Sequence, residues 1–282
     1  MVATIANLSD RRTAVNDLGQ YIASSIRAGR ANDEPFFHLQ FDHVFPQDIY
    51  AAILTAMPTA QQYRPMSGPS ERRARLYKLA PILKASGPAL PELMYTRVKF
   101  DLFPEIVRSL SPDQRPIWSI VSRALRLPSV KEALVDRLAP GLERRFGVGF
   151  AKVGMYPNPT LMRDIPGYWL GPHRDTRWKG ITVQFYLPSD NDATHVGTVF
   201  HQQMPDGTLV RHMQMKFAPN VGYAFAVGDN TWHSVDPVSG AVNTRDSILL
   251  TYYVDEGPLR LLRNRGRRVG NFVVNKGRKL FG

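Results

Sequence analysis

From Gly147 to Val254 the chain breaks into short runs rich in β-branched and aromatic residues, separated by Pro, Gly, Asn and Asp, and this punctuation constrains the fold more than any other feature. The runs fall at 150–156, 181–187, 196–201, 209–217, 221–227 and 247–254. Tyr156-Pro157-Asn158-Pro159 and Pro205-Asp206-Gly207 read as turns between them. Short strands at such regular spacing predict a sandwich or barrel. The residues before Gly147 carry a different period. Val15, Leu18, Ile22 and Ile26 share one helical face, with Gly29 as the stop. Ile49, Ile53 and Met57 repeat every fourth residue until Pro58. Trp118, Val121 and Leu125 mark a third helix, and Ser129 with Glu132 matches a capping box opening a fourth, which Pro140 breaks or bends. Three regions result: a helical and loop region over 1–146, a β core over 147–257 and a basic tail over 258–282.

Several chemistries are excluded by composition. With no cysteine, the chain has no disulfide, iron–sulfur cluster, thiolate nucleophile or Cys-ligated zinc, so a metal must use the seven His and the carboxylates. The net charge of +12 is uneven, because the last 25 residues hold eight Lys and Arg and no acid. Such a tail suits solvation, or peripheral contact with an anionic surface. No signal peptide and no apolar run of membrane-spanning length is visible, so a cytoplasmic protein without a membrane span is expected.

The residues that carry chemistry lie between Gly171 and Tyr253. His173-Arg174-Asp175 precedes the run at 181–187, His233 follows the run ending near Val227, and Arg245-Asp246-Ser247 opens the last strong run. On an extended chain His173 and Asp175 point to one face, so both can reach one ion. Two imidazoles and one carboxylate form the facial triad that suits non-haem Fe(II), with positions left open opposite. Arg245, Ser247, Leu249 and Thr251 likewise share a face. A guanidinium fork with a hydroxyl beside it is what a buried carboxylate requires.

At these residues the sequence resembles the Fe(II)/2-oxoglutarate-dependent dioxygenases, whose pattern is HxD, a distal His and an Arg-x-Ser pair about ten residues later. The resemblance spans 150–254 and implies an α+β chain with a mainly β core, a double-stranded β-helix (jelly roll) buttressed by N-terminal helices. It implies that His173, Asp175 and His233 hold Fe(II), that Arg245 and Ser247 bind the distal carboxylate of 2-oxoglutarate, and that O2 is the oxidant. Leu161-Met162-Arg163-Asp164-Ile165-Pro166-Gly167-Tyr168 and Gly197-Thr198 look like marks of a bacterial branch that hydroxylates small molecules. Asp175 argues against the related halogenases, which lack that carboxylate. Thr251 stands where the nucleic-acid demethylases carry a second Arg, so no nucleic-acid substrate is expected. Prolyl hydroxylases usually use Lys in the role that Arg245 takes.

For the substrate, Arg177 and Lys179 are the candidate contacts to a small polar or acidic molecule, and 64–88, with Arg72, Arg73, Arg75 and Lys78, is a candidate lid. Two other classes compete. One is a cupin-type metal enzyme that does not use 2-oxoglutarate; the other is a membrane- or nucleic-acid-binding protein acting through its basic tail. Desaturation, cyclisation and epimerisation share the same cofactors as hydroxylation, and no oligomeric state follows from the sequence.

Overall fold

The computed structural model describes residues 8–66 and 96–255. Six helices form in it: α1 (Leu8–Ala28), α2 (Gln47–Thr55), α3 (Pro104–Val107), α4 (Arg115–Ala124), α5 (Pro128–Arg137) and α6 (Ala139–Phe146). The stripe Val15, Leu18, Ile22 and Ile26 on α1 is buried, and the helix stops where the Gly29 amide turns back to the Ile26 carbonyl at 3.1 Å. The capping box at Ser129 does not form. Pro128 has a helix-ready φ and no amide to satisfy, so it takes the first turn of α5 and leaves Ser129 inside, its buried hydroxyl without a partner among the described residues. Pro140 acts as expected: α5 ends at Arg137 and α6 restarts at Ala139.

Two antiparallel sheets make the rest. The larger runs β1 (Arg30–Asn32), β2 (His38–Phe41), β10 (Gly222–Ala226), β7 (Lys179–Tyr186), β12 (Arg245–Val254), β5 (Met155–Asp164), β4 (Arg97–Asp101), β3 (Arg64–Pro65). The smaller runs β6 (Leu170–His173), β11 (Trp232–Val235), β8 (Thr198–Gln203), β9 (Leu209–Gln214). The first half of the chain is therefore not only helix and loop, since its four strands extend the large sheet at both edges. These strands are two to five residues long, too short to impose a period on the sequence.

A second difference lies at 150–159. Phe150–Lys152 is a 3-10 turn, and β5 starts at Met155 and continues through Pro157 and Pro159, where a turn was expected. The prolines are tolerated because their ring nitrogens face away from β12. The Pro159 carbonyl, on the same side as its nitrogen, accepts from Leu102 at 3.1 Å, and β4 pairs with β5 only from Thr160 onward.

Alternation divides the large sheet into two faces. Ile181, Val183 and Phe185 of β7, Ala224 and Ala226 of β10 and Ile248, Leu250 and Tyr252 of β12 join Ile22, Trp118 and Leu134 in a core under the helices. Their neighbours point the other way. Tyr186, Tyr223 and Phe225 pack with Phe200 and Val235 of the small sheet, with the Phe200 ring 5.3 Å from that of Tyr223. The sheets thus form a sandwich, and Thr182, Gln184, Arg245 and Ser247 line its interior by the same alternation. From β5 to β12 consecutive strands switch between sheets, apart from the β8–β9 hairpin. No described helix is long and apolar enough to cross a membrane. The basic tail and residues 67–88 of the candidate lid lie outside the described residues, while Arg64 and Pro65 form β3.

Candidate metal centre and the buried network beneath it

Strand pairing builds the centre. β6 ends at His173, β11 carries His233, and the register sets the two opposite each other with ring centroids 4.3 Å apart. Asp175 follows in the loop to β7, and one ligand atom from each of His173, Asp175 and His233 lies within 4.8 Å of the others. That loop is tied to α6 by Arg145, which donates to the carbonyls of Arg177, Lys179 and Val227.

Each imidazole is oriented by its own chain. Nδ1 of His173 lies 3.0 Å from the Gly171 carbonyl, and Nδ1 of His233 lies 3.0 Å from that of Thr231. Both Nδ1 atoms therefore carry the proton, and both Nε2 lone pairs are available as ligands. Burial lowers the pKa of His173 and brings that of His233 down to about 4, so both rings are neutral at neutral pH. Burial alone would raise the pKa of Asp175. The charge of Lys179 and the hydrogen bonds from Lys179 and Thr182 outweigh it and hold the carboxyl below its usual range. Lys179 Nζ donates to Oδ1 at 2.5 Å and Thr182 Oγ1 to Oδ2 at 2.6 Å. Two neutral nitrogens and one ionised oxygen are the donor set that fits a first-row divalent ion with open positions.

Farther into the sandwich lies a second constellation. Arg245 is wholly buried, its Nε donating to the Val196 carbonyl at 2.6 Å, one terminal nitrogen to Asp164 Oδ2 at 2.8 Å and the other to Thr198 Oγ1 at 3.1 Å. Asp164 is also gripped by Arg97, through Nε at 2.5 Å and a terminal nitrogen at 2.8 Å, and the Arg97 guanidinium sits 4.0 Å over the Tyr168 ring. Ser247 accepts from Gln184 Nε2 at 2.8 Å, and Gln184 Oε1 accepts from Tyr223 at 2.6 Å. The Tyr186 and Tyr223 hydroxyls both reach Thr198 Oγ1, at 3.0 and 2.9 Å. Thr198 pairs with Val235, two residues along β11 from His233. At about 3.4 Å per residue the two levels are ~7 Å apart. A five-carbon dicarboxylate, about 5 Å from C1 to C5, suits that gap.

The centre opens on a cleft of about 1170 Å³ lined by His173, Asp175 and Trp232 and, at its mouth, Arg144, Arg174 and Arg177. Arg174 turns away from the ligands, stacking 4.7 Å over Trp232 and donating to the Asp229 carbonyl at 2.7 Å. Arg177 is 87% exposed, its guanidinium 3.6 Å from the Asp229 carboxylate. Lys179, the other candidate substrate contact, is engaged by Asp175 instead.

Sequence reading did not single out Arg97, Gln184, Tyr186 or Tyr223, and it met Asp164 only inside a longer run. One signal was present: Thr182 and Gln184 alternate with Ile181, Val183 and Phe185, two polar residues on one face of an otherwise apolar strand.

No family model matches the chain, and no curated protein matches it. Among solved structures it is similar to a Pseudomonas putida prolyl-4-hydroxylase, with 15% identity, 84% of this chain and 98% of that chain covered, and a TM-score of 0.38. A Trichoplax adhaerens prolyl hydroxylase, solved with a fragment of hypoxia inducible factor, shares 11% identity over 88% of this chain and 94% of that one, with a TM-score of 0.41. An oxidoreductase of the 2OG-Fe(II) oxygenase family from Burkholderia pseudomallei shares 15% identity over 79% and 92%, with a TM-score of 0.36. Likenesses this distant leave the site itself to carry the functional reading.

Proposed function

We propose that this chain is an Fe(II)- and 2-oxoglutarate-dependent oxygenase that hydroxylates a C–H bond of a small polar or acidic molecule, releasing succinate and CO2. The observation that carries the reading is the convergence of His173, Asp175 and His233, with the buried Arg245 bonded to Thr198, which pairs two residues along β11 from His233. The sheet orders support a double-stranded β-helix core: β5-β12-β7-β10 in one sheet faces β6-β11-β8-β9 in the other, as in a jelly roll.

His173, Asp175 and His233 would hold the iron, and Arg245 with Ser247 would receive the distal carboxylate of 2-oxoglutarate. Bound there, the pair would supply the chemistry that couples reduction of O2 to decarboxylation of 2-oxoglutarate and insertion of one oxygen atom into the substrate. The chain's own part is positioning. Neutral imidazoles and a single carboxylate leave a net positive charge on a divalent ion, which favours an anionic co-substrate. Thr182 fixes the carboxylate plane of Asp175, and the Phe225 ring packs 5.2 Å from that of His233. At the mouth, Arg174 and Arg177 share Asp229, and this cationic rim suits an acidic substrate.

Equilibrium dialysis against Fe(II) under argon tests the reading. One iron per chain is expected, with loss of binding in Asp175→Ala and His233→Ala. Stoichiometric iron in both variants would overturn it.

A further inference from the structure

Among the described residues, the network under the metal centre contains one cation too many. Arg97 and Arg245 share the single carboxylate of Asp164, and Asp164 and Arg245 are fully buried. Lys99, the next residue of β4 on the same face, lies 3.3 Å from Asp101 instead. The Tyr186 and Tyr223 hydroxyls both reach Thr198 Oγ1, and burial pushes the pKa of Tyr223 up, so that phenol brings no negative charge. A buried charge without a counter-charge is costly, so such a cluster calls for an anion. Arg245 has room for one, since among the described residues only three of its five N–H groups are engaged.

We propose that Arg97 is a positioning residue for 2-oxoglutarate: by neutralising Asp164 it releases the charge of Arg245 for the distal carboxylate, without touching the ligand. This inference rests on the function proposed above. Arg97 takes both oxygens of Asp164 in a fork, and the Tyr168 ring beneath holds its guanidinium flat. Remove Arg97, and Asp164 with Arg245 becomes a closed, neutral ion pair. An incoming carboxylate then meets a fixed like charge across Arg245, with no surplus cation to offset it. Asp164 in turn keeps the Arg245 guanidinium aimed toward Thr198, so the three side chains act as one unit carrying a net +1.

The count of charges gives the test. 2-Oxoglutarate is titrated calorimetrically, under argon, into the full chain loaded with Fe(II), as wild type, Arg97→Gln, Arg97→Lys and Arg97→Gln/Asp164→Asn. 2-Oxobutanoate, which lacks the distal carboxylate, is titrated in parallel. Arg97→Gln is expected to weaken 2-oxoglutarate binding about tenfold or more. Arg97→Lys keeps the charge and stays within about threefold of wild type, and the double variant, which restores the net +1, recovers most of the loss. 2-Oxobutanoate binds all four proteins alike. Unchanged affinity in Arg97→Gln overturns the proposal, as does a double variant as weak as the single one or a parallel loss for 2-oxobutanoate. If Arg97→Gln does not fold, the double variant must still bind close to wild type, and failure there refutes the idea. A wild type that holds Fe(II) but takes up no 2-oxoglutarate refutes the functional reading on which the proposal stands.

Discussion

Replacing Thr182 by Val removes one hydroxyl from the site at almost constant volume. Thr182 is buried on β7, and its Oγ1 donates to Asp175 Oδ2 at 2.6 Å, a short bond to an ionised acceptor. Bonds of that kind contribute about 1.5–3 kcal/mol. Two consequences separate by assay. Metal affinity should fall ~10- to 100-fold, the effect of losing a partner that orients a ligand. The same range follows from the bond itself, since each 1.4 kcal/mol is about a factor of ten. Thr182→Ser retains the oxygen and should lie within about threefold of wild type. The assay is competition between the protein and a chelator of known affinity for Mn(II) or Fe(II), with far-ultraviolet circular dichroism to confirm folding. If Thr182→Val binds metal as tightly as wild type, the carboxylate does not depend on its hydroxyl partner, and Asp175 is not held as described.

Further outcomes follow from packing and protonation. At Gly197 an added Cβ would lie 1.5 Å from the Met215 carbonyl oxygen, and backbone cannot yield as a side-chain tip can. Gly197→Ala should therefore destabilise the protein by about 3 kcal/mol or more and displace Thr198, readable as a lower urea midpoint with weakened 2-oxoglutarate binding. Asp164→Asn alone leaves the buried Arg245 and the partly buried Arg97 without their carboxylate and should cost about 3–5 kcal/mol in the same unfolding assay, more than Arg97→Gln. In the metal-free protein, His233 has its pKa near 4 when folded and near 6.5 when unfolded, so the unfolded chain takes up the proton first. Its contribution is complete above pH 6.5 and is lost as the pH falls toward 4, up to about 3 kcal/mol. Urea unfolding at pH 7.5 and 4.5 should show that loss, and His233→Gln should reduce it; an identical slope in the variant would contradict the assignment.

What was legible in the sequence was what local pattern controls. The α1 stripe became a buried face because four apolar residues at helical spacing have one way to hide. The short edge strands were invisible, since β1 to β4 owe their form to neighbours rather than to their own residues. Pro157 and Pro159 read as a turn because sequence does not reveal which side of a strand pairs. The chemical types of His173, Asp175, His233 and Arg245 stood out; the β6–β11 register brings the two histidines together, and the loop after β6 adds Asp175. Asp164 and Arg97 did not stand out. Their meeting with Arg245 depends on β4, β5 and β12 lying in register, across separations of 67 and 81 residues.

The proposed function requires that the cluster of His173, Asp175 and His233 and the Arg245 network together hold iron and 2-oxoglutarate. Anaerobic addition of 2-oxoglutarate to the Fe(II)-loaded chain, followed by visible absorption, addresses both at once. The weak charge-transfer band of a 2-oxo acid chelated to Fe(II) is expected, absent in Asp175→Ala and requiring far more 2-oxoglutarate in Arg245→Ala. Iron bound in full, with no band at any 2-oxoglutarate concentration, would contradict it and point to a metal enzyme of another kind.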